Sequence, residues 1–216
     1  MPLWVALVLP SALRAQNADW FERTGELKAA LEAKGDPARG DAAFAPCRAC
    51  HRKDASGRAA GATPRLAGQH GNVVVKQLVD IRAGRRSNPN MEPFVGPGVM
   101  SVVSIADIGA FLQTLPVPAG NGRGPGTGVE AGKLLYERDC RQCHGDRGEG
   151  NAERFYPMVA AQHYSYLLRE TQLIRDGDRR NSNPDMVKVI KPYGTAELEA
   201  VSDYIAQLPP PAKRAP

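Results

Sequence analysis

Apolar residues recur along the chain at helical spacing, and they do so in two matching sets. Val74, Leu78 and Ile81 are three or four positions apart and therefore share one face of a predicted helix. The corresponding set, 93 positions later, is Leu167, Thr171 and Ile174. Strands are not credible in either half, because helical spacing accounts for the apolar positions. The pattern predicts an all-α protein.

A second pair of apolar stripes closes the two halves of the chain. Its members are Ile105, Ile108, Phe111, Leu112 and Leu115 in the first half, and Leu198, Val201, Tyr204, Ile205 and Leu208 in the second. Each stripe ends at a Leu-Pro pair, and the residue before a proline is disfavoured in a helix. We therefore predict that both C-terminal helices end at these leucines.

Short polar segments repeat at the same offset. Residues 64–70 (PRLAGQH) match residues 157–163 (PMVAAQH), and residues 87–91 (SNPNM) match residues 182–186 (SNPDM) after a slip of two positions. A tandem duplication of one domain of about 90 residues explains all of these matches.

Domain boundaries follow from this repeat. We predict a first domain over residues 36–116, a linker over 117–128 and a second domain over 129–209, followed by a C-terminal tail over 210–216. The Gly and Pro content of the linker predicts that it has no regular secondary structure.

The residues before the first domain have two features. Residues 1–15 contain a short apolar run that ends in small residues, and we interpret them as an export signal. Residues 16–35 are predicted to be a helical extension in which Trp20, Leu27 and Leu31 share a face; this face would pack on the first domain or dock a partner, and packing is the favoured use. No later segment is apolar enough to span a bilayer, so we expect a periplasmic protein without a transmembrane span in its mature form.

All four cysteines of the chain belong to one motif that occurs twice. The pattern C-x-x-C-H stands at residues 47–51 (CRACH) and at residues 140–144 (CRQCH). It is the attachment sequence of c-type haem, in which two thiols bond to the porphyrin and the adjacent histidine ligates the iron. We therefore predict two covalently bound haems c (iron), attached through Cys47, Cys50, Cys140 and Cys143 and ligated by His51 and His144.

Other uses of the four cysteines fit less well. A C-x-x-C disulfide closes a very short loop and stabilises little. Zinc ribbons place their two cysteine pairs about 15–20 residues apart, whereas here the pairs are 93 residues apart. A thioredoxin-like redox motif would need strands around it, and the sequence predicts none.

The order of a helix, the C-x-x-C-H motif, a proline-containing loop, a helix, a methionine loop and a C-terminal helix resembles class I cytochrome c. The tandem arrangement, with LAGQ at residues 66–69 and an NPxM loop in each half, resembles the dihaem cytochrome c4 family over nearly the whole predicted mature chain. The resemblance implies two tandem cytochrome c domains in which the carbonyls of Pro64 and Pro157 accept hydrogen bonds from the ligating histidines. The family usually has Gly after the motif; the second repeat keeps it as Gly145, whereas the first has Arg52.

The sixth ligand of each iron is predicted to be a methionine. Met91 and Met186 occupy equivalent places in the two Ser-Asn-Pro loops, off any apolar stripe, and ligation by a thioether raises the haem potential. Met100 is a rival to Met91, although the second repeat has no methionine at the matching place. His70 and His163, also at matched positions, leave a bis-histidine alternative open.

Positive charge is concentrated in the first half of the chain. The net charge is +5; residues 36–116 carry ten Lys and Arg against six Asp and Glu, whereas residues 129–216 carry thirteen of each. No basic run is interleaved with aromatic residues, which disfavours nucleic-acid binding. We expect the Arg pairs at 85–86 and 179–180 to be solvated or paired to haem propionates, and the first domain to face an acidic redox partner.

These features predict an electron carrier and not an enzyme, because two six-coordinate irons leave no open position for a substrate. The expected partners are exported or membrane-bound redox proteins, such as a dehydrogenase, a bc1-type complex or a terminal oxidase. One alternative is a dihaem oxidoreductase that acts on a small sulfur or peroxide substrate at an open iron. Another is the cytochrome subunit of a larger dehydrogenase.

Overall fold

We describe the fold from a computed structural model, which describes residues 20, 22–60, 63–118 and 120–211. The predicted export signal lies outside these residues. The described chain is helical, and the β pairing within it is confined to two isolated bridges, Arg58–Thr63 and Asn151–Tyr156, at matching places in the two halves. The prediction of an all-α protein is confirmed.

In the described chain, the two halves share one order of five helices, and the first half has an additional helix, α1, from the N-terminal extension. The first contains α1 (Gly25–Glu32), α2 (Pro37–Ala43), α3 (Arg48–His51), α4 (Gly71–Arg82), α5 (Glu92–Val95) and α6 (Val102–Thr114); the second contains α7 (Val129–Leu135), α8 (Arg141–His144), α9 (Tyr164–Asp176), α10 (Pro184–Ile190) and α11 (Thr195–Gln207). A 3-10 turn (Ala45–Cys47) leads into α3, and a π turn (Tyr136–Cys140) leads into α8. None of the helices described is long and apolar enough to cross a membrane.

The predicted apolar stripes lie in the core. Val74, Leu78 and Ile81 are buried on α4 among the core residues of the first domain. The residues that follow the last turns of α6 and α11 are Leu115 and Leu208, as the two Leu-Pro pairs predict.

One close helix crossing organises each half. A Cβ atom on Gly40 of α2 would lie 2.0 Å from the carbonyl oxygen of Asp107 on α6, and one on Gly132 of α7 would lie 2.0 Å from that of Ala200 on α11. Glycine is therefore required at both crossings, because any side chain would push the helices apart. Aromatic rings flank the crossings: Phe44 with Phe111 at 5.8 Å, and Tyr136 with Tyr204 at 5.4 Å between centroids.

The N-terminal extension packs on the first domain, as expected, but less of it is helical than the sequence predicts. Leu27 and Ala30 are buried in the core of that domain. The helix begins only at Gly25, since Thr24 is extended and Gly25 has a positive φ of 52°. Trp20 therefore lies outside the helix and does not share a helical face with Leu27, which corrects the prediction.

Trp20 instead reaches the second domain. Its ring meets the ring of Phe155 edge-on, with 6.1 Å between centroids, and its Nε1–H donates to the carbonyl oxygen of Asn181 over 2.8 Å. Arg23 forms an ion pair with Glu153 nearby. The extension thus contacts both halves of the molecule.

The linker has no helix or strand in its described residues, as predicted, and it is held on the second domain. The side-chain amide of Asn121 donates to the carbonyl oxygens of Gln162 and Ala206, each over 2.7 Å. The backbone N–H of Gly126 donates to a carboxylate oxygen of Asp203 over 2.8 Å. These bonds fix the path of the linker.

Candidate cofactor sites

Each C-x-x-C-H motif begins at the N-terminus of a short helix. Cys47 and Cys140 cap α3 and α8, and the other motif residues form those helices. All four cysteines are free thiols. Burial raises the pKa of Cys47, and it raises the pKa of Cys140 to about 12, so both are neutral thiols at neutral pH. Each half therefore presents two thiols one helical turn apart, which is the spacing that attachment requires.

The motif histidines have one ring nitrogen bonded and one available. The Nδ1–H of His51 donates to the carbonyl oxygen of Pro64 over 3.2 Å, and that of His144 donates to Pro157 over 3.1 Å. The predicted proline acceptors are confirmed. Burial lowers the pKa of both imidazoles, so that they are neutral. Because the proton is on Nδ1, the lone pair of each ring is on Nε2, where it is free to bind a metal.

Two glycines allow the carbonyl groups of Pro64 and Pro157 to come within hydrogen-bond distance of the motif histidines. Gly57 and Gly150 have φ angles of 73° and 71°, and a Cβ atom on either would lie 2.5 Å from the carbonyl group of Pro64 or Pro157. Their N–H groups also donate to the carbonyl oxygens of the two motif histidines. The turn that carries each glycine therefore folds the proline carbonyl back under the histidine ring.

The candidate methionine ligands lie at similar points of the two domains. Met91 immediately precedes α5, and Met186 lies in the first turn of α10. Both are half-buried and pack against the core of their own domain. Met100 is more deeply buried, in the core of the first domain, and its carbonyl accepts from Arg82. The assignment of Met91 over Met100 stays a prediction.

His70 and His163 lie between the domains and not at their centres. The Nε2–H of His163 donates to the carbonyl oxygen of Ser56 over 2.9 Å, and its Nδ1 accepts from the N–H of Gly122 over 3.0 Å. The Nε2 of His70 bonds the carbonyl oxygen of Glu149 over 2.8 Å. Both nitrogens of His163 are thus bonded to the protein backbone, which leaves no lone pair for iron and argues against bis-histidine ligation in the second domain.

The contact between the domains was missed by the sequence reasoning. The side-chain amide of Gln69 pairs with the backbone N–H and carbonyl of Met158 at 2.9 and 3.0 Å, and that of Gln162 pairs with the same groups of Arg65, both at 2.9 Å. The two halves meet through equivalent atoms, as in a two-fold symmetric dimer. The signal was the Gln-His pair that ends both repeats of residues 64–70 and 157–163.

A second layer of this interface corrects the expectation for one arginine of each pair, whereas Arg85 and Arg180 are exposed, as expected. The side chains of Arg86 and Arg179 are 12% and 18% exposed, and both bond the same carboxylate oxygen of Glu170, at 3.0 and 2.9 Å. Both also donate to Gln77. Neither side chain is solvated: Glu170 on α9 neutralises part of the charge of Arg86 from across the interface and of Arg179 from within its own domain.

The two-residue slip in the repeat also has a structural role. It inserts Arg180 and Asn181 in the second domain, and both contact the first. The side-chain amide of Asn181 donates to Asp80 over 2.8 Å, and Arg180 donates to the carbonyl oxygen of Gly84 over 3.1 Å. The second repeat thus carries contacts that the first lacks.

The chemistry of these donor sets fits c-type haem. Each half combines two free thiols with a neutral histidine that has a free Nε2 and an oriented ring. Among the described residues, no cluster of three or more His, Cys, Asp or Glu would hold a bare metal ion. The residues therefore fit attachment of a porphyrin better than direct coordination of a metal.

Comparison with known proteins agrees with this chemistry. The family model described as "Cytochrome c" matches residues 129–209. The chain is 36% identical to the "Thiosulfate dehydrogenase electron acceptor" of Stutzerimonas stutzeri (strain A1501), over 75% of this chain and 78% of that protein. It is 31% identical to "Cytochrome c4" of Azotobacter vinelandii, over 82% of this chain and 90% of that protein.

A solved structure shares the fold. The crystal structure of reduced recombinant cytochrome c4 from Pseudomonas stutzeri matches with a TM-score of 0.73 and 27% sequence identity. The match covers 81% of this chain and 99% of that one. Both halves of the chain and their arrangement therefore have a counterpart of known structure.

Proposed function

The chain belongs to the cytochrome c4 family of dihaem electron carriers, and from this premise we propose which residues bind its haems and which partners it serves. Cys47 and Cys50 attach the first haem. Bound haem supplies a one-electron iron couple. The full set of proposed iron ligands is His51 and Met91 in the first domain and His144 and Met186 in the second, with Cys140 and Cys143 attaching the second haem.

The observation that carries this assignment is the matched pair of histidine–proline bonds. A histidine whose Nδ1–H is held by a carbonyl has a fixed tautomer and a fixed ring orientation, and it is a stronger donor through Nε2. His51 and His144 both have this arrangement, with donor–acceptor distances of 3.2 and 3.1 Å. A histidine that merely filled the core would not need it twice at equivalent positions.

Haem stoichiometry tests the assignment directly. The intact mass of the mature protein should correspond to two haems, and that of the C140S/C143S variant to one. The C47S/C50S variant is the matched control and should also retain one haem, in the other domain. A wild-type mass with fewer than two haems would contradict the proposal.

We place the carrier in the periplasm, as the electron acceptor of an exported dehydrogenase that oxidises an inorganic sulfur compound such as thiosulfate. Its similarity to the thiosulfate dehydrogenase electron acceptor, at 36% identity, supports this partner over others. The residues of the histidine and methionine loops would hold the irons six-coordinate, so that electrons and not substrate atoms would pass to this chain.

Rapid mixing distinguishes a specific acceptor from a general carrier. A thiosulfate dehydrogenase supplied with thiosulfate should reduce this protein much faster than it reduces a single-haem cytochrome c of similar potential. Equal rates would contradict the specific partner but not electron transport. Co-purification at high salt would instead indicate a permanent subunit.

The enzymatic alternative requires a different coordination of the iron in the first domain. A dihaem oxidoreductase needs one iron without a working sixth ligand. The near-infrared charge-transfer band of methionine-ligated ferric haem should therefore have the intensity of two haems in a carrier and of one in such an enzyme. Reduction of the protein by thiosulfate alone would favour the enzyme.

A further inference from the structure

Arg65 is a buried cation for which the described part of the chain offers no anionic partner. The residue is 3% exposed, and its Nε and Nη1 atoms are buried with no hydrogen-bond partner in the described structure. Within the described residues its guanidinium makes one hydrogen bond, from Nη2 to the carbonyl oxygen of Ala160. Burial lowers its pKa to about 10, and no charged group offsets that effect. The side chain is still protonated at neutral pH, so a full charge lies in the interior.

The backbone of Arg65 is fixed from both sides. Its N–H and its carbonyl both bond the side chain of Gln162, as described above. The residue also follows Pro64, whose carbonyl accepts the proton of the His51 ring. The backbone of Arg65 is therefore anchored next to the proline that orients His51, and its guanidinium lies at the interface between the domains.

The second repeat shows that the interface does not need this charge. Met158 occupies the equivalent place, is 6% exposed, and has its N–H and carbonyl bonded by Gln69 in the same way. An apolar side chain thus satisfies the same architecture. A buried arginine is retained only where something compensates its charge, because the cost of burying an unpaired ion is high.

The titratable groups near Arg65 are a histidine and a second arginine, and neither carries negative charge. His163 has a lowered pKa, first through burial and then through the charges of Arg65 and Arg52. Arg52 itself is exposed. Among the described residues, no Asp or Glu side chain acts on Arg65. The local field is positive and complementary to a carboxylate.

We propose that the Nε and Nη1 groups of Arg65 bind a propionate carboxylate of the haem in the first domain. The proposal rests on the proposed function, since it requires a haem at Cys47 and Cys50. Charge-assisted hydrogen bonds from the free N–H groups to the propionate compensate the buried charge of Arg65 and keep the propionate ionised. Because a nearby cation favours reduced iron over the more positive oxidised iron, Arg65 raises the potential of the first haem. The second haem has Met158 at this place, so the residue makes the two haems unequal.

The test compares R65M, which copies the second repeat, with R65K, which keeps the charge, and with M158L as control. Two haems are first verified by intact mass in each variant, so that loss of a haem is not confused with loss of the ion pair. In R65M the potential of the first haem should be lower than in the wild type at neutral pH. It should rise again as the pH decreases, because the unpaired propionate binds a proton more readily when the iron is reduced. The wild type, R65K and M158L should have potentials nearly independent of pH over the same range.

Three results would overturn the proposal. One is an R65M variant with lower stability but unchanged potentials and pH dependence, which would make Arg65 a packing residue. Another is a shift confined to the second haem. The third is a wild-type potential that moves to the R65M value when chloride and phosphate are removed from the buffer, which would mean that a free anion and not a haem carboxylate neutralises Arg65.

Discussion

Arg52 and Gly145 have nearly the same backbone conformation, although one carries a long side chain and the other none. They occupy equivalent places directly after the two C-x-x-C-H motifs. Their φ and ψ angles are 67° and 167° for Arg52, and 82° and 170° for Gly145. This region of the φ/ψ map is populated almost only by glycine. The first domain is therefore strained at the residue where its sequence departs from the family.

Replacing Arg52 by Gly should stabilise the protein. Relief of the strain, reduced by the larger entropy that glycine has in the unfolded chain, should raise the free energy of unfolding by about 1 kcal/mol. Denaturant unfolding of the holoprotein, followed by circular dichroism, measures this change. The matched reverse substitution, Gly145→Ala, should destabilise by a similar amount, since a Cβ atom there would lie 2.3 Å from the carboxyl carbon of Glu149. A destabilised Arg52→Gly variant would show that the arginine side chain matters more than the backbone.

The sequence predicted what depends on local pattern and missed what depends on docking. The stripe through Val74 and the ends of α6 and α11 are correct, because helical spacing and proline act locally. The interface made by Gln69 and Gln162 was missed, since two polar residues at equivalent positions do not indicate whether they face solvent or each other. Trp20 was placed on a helical face for the same reason: periodicity predicts burial but not the partner, which here is the other domain.

Substitution of the methionines should identify the sixth ligands. Met186→His should lower the potential of the second haem by a large part of the roughly 0.8 V range that axial ligands control, because imidazole favours ferric iron more than a thioether does. Spectroelectrochemical titration measures the potential. Met158→Leu is the control, since that methionine is buried at the interface, and it should leave both potentials nearly unchanged.

The first domain needs two separate variants, because Met91 is half-buried and Met100 is buried in the core. We expect Met91→His to lower the potential of the first haem and Met100→Leu to change only stability. The opposite result would assign Met100 as the ligand. An unchanged near-infrared band in both variants would contradict methionine ligation in this domain.

Acid should weaken the contact between the domains through His163. This residue is 4% exposed and its Nδ1 accepts from Gly122, so that a second ring proton would remove the acceptor. Its pKa is lowered, chiefly by burial. The folded state therefore resists protonation, and its stability is complete above the ordinary pKa of about 6.5 and declines as the pH falls towards the lowered value.

The variant His163→Gln separates this effect from other titrations. At neutral pH it should cost about 1–3 kcal/mol, because the buried backbone groups of Ser56 and Gly122 lose a partner. Between about pH 6.5 and pH 5, where free carboxyl groups remain largely ionised, its stability should vary less than that of the wild type. Equal slopes for the two proteins would assign the acid sensitivity to another group.

Docking of redox partners should be weak, sensitive to salt and centred on the first domain. That domain has a charge balance of +4, whereas the residues from 129 onward are balanced. Lys53 is exposed and lies two residues after His51, and unlike Arg52 its backbone has no positive φ. Lys53→Glu should therefore slow electron transfer with an acidic partner several-fold at low salt without altering the fold. Charges are screened beyond about 10 Å at 0.1 M salt, so the difference from the wild type should shrink as salt is added.

The second domain provides the control for this experiment. Arg147 is exposed and lies three residues after His144, on the corresponding loop. Arg147→Glu makes the same change of charge beside the second motif. If the first domain is the docking site, stopped-flow measurements should show the second-order rate reduced by Lys53→Glu and nearly unaffected by Arg147→Glu. The reverse order would place docking on the second domain, and rates insensitive to both charge and salt would indicate that this chain transfers electrons within a permanent complex.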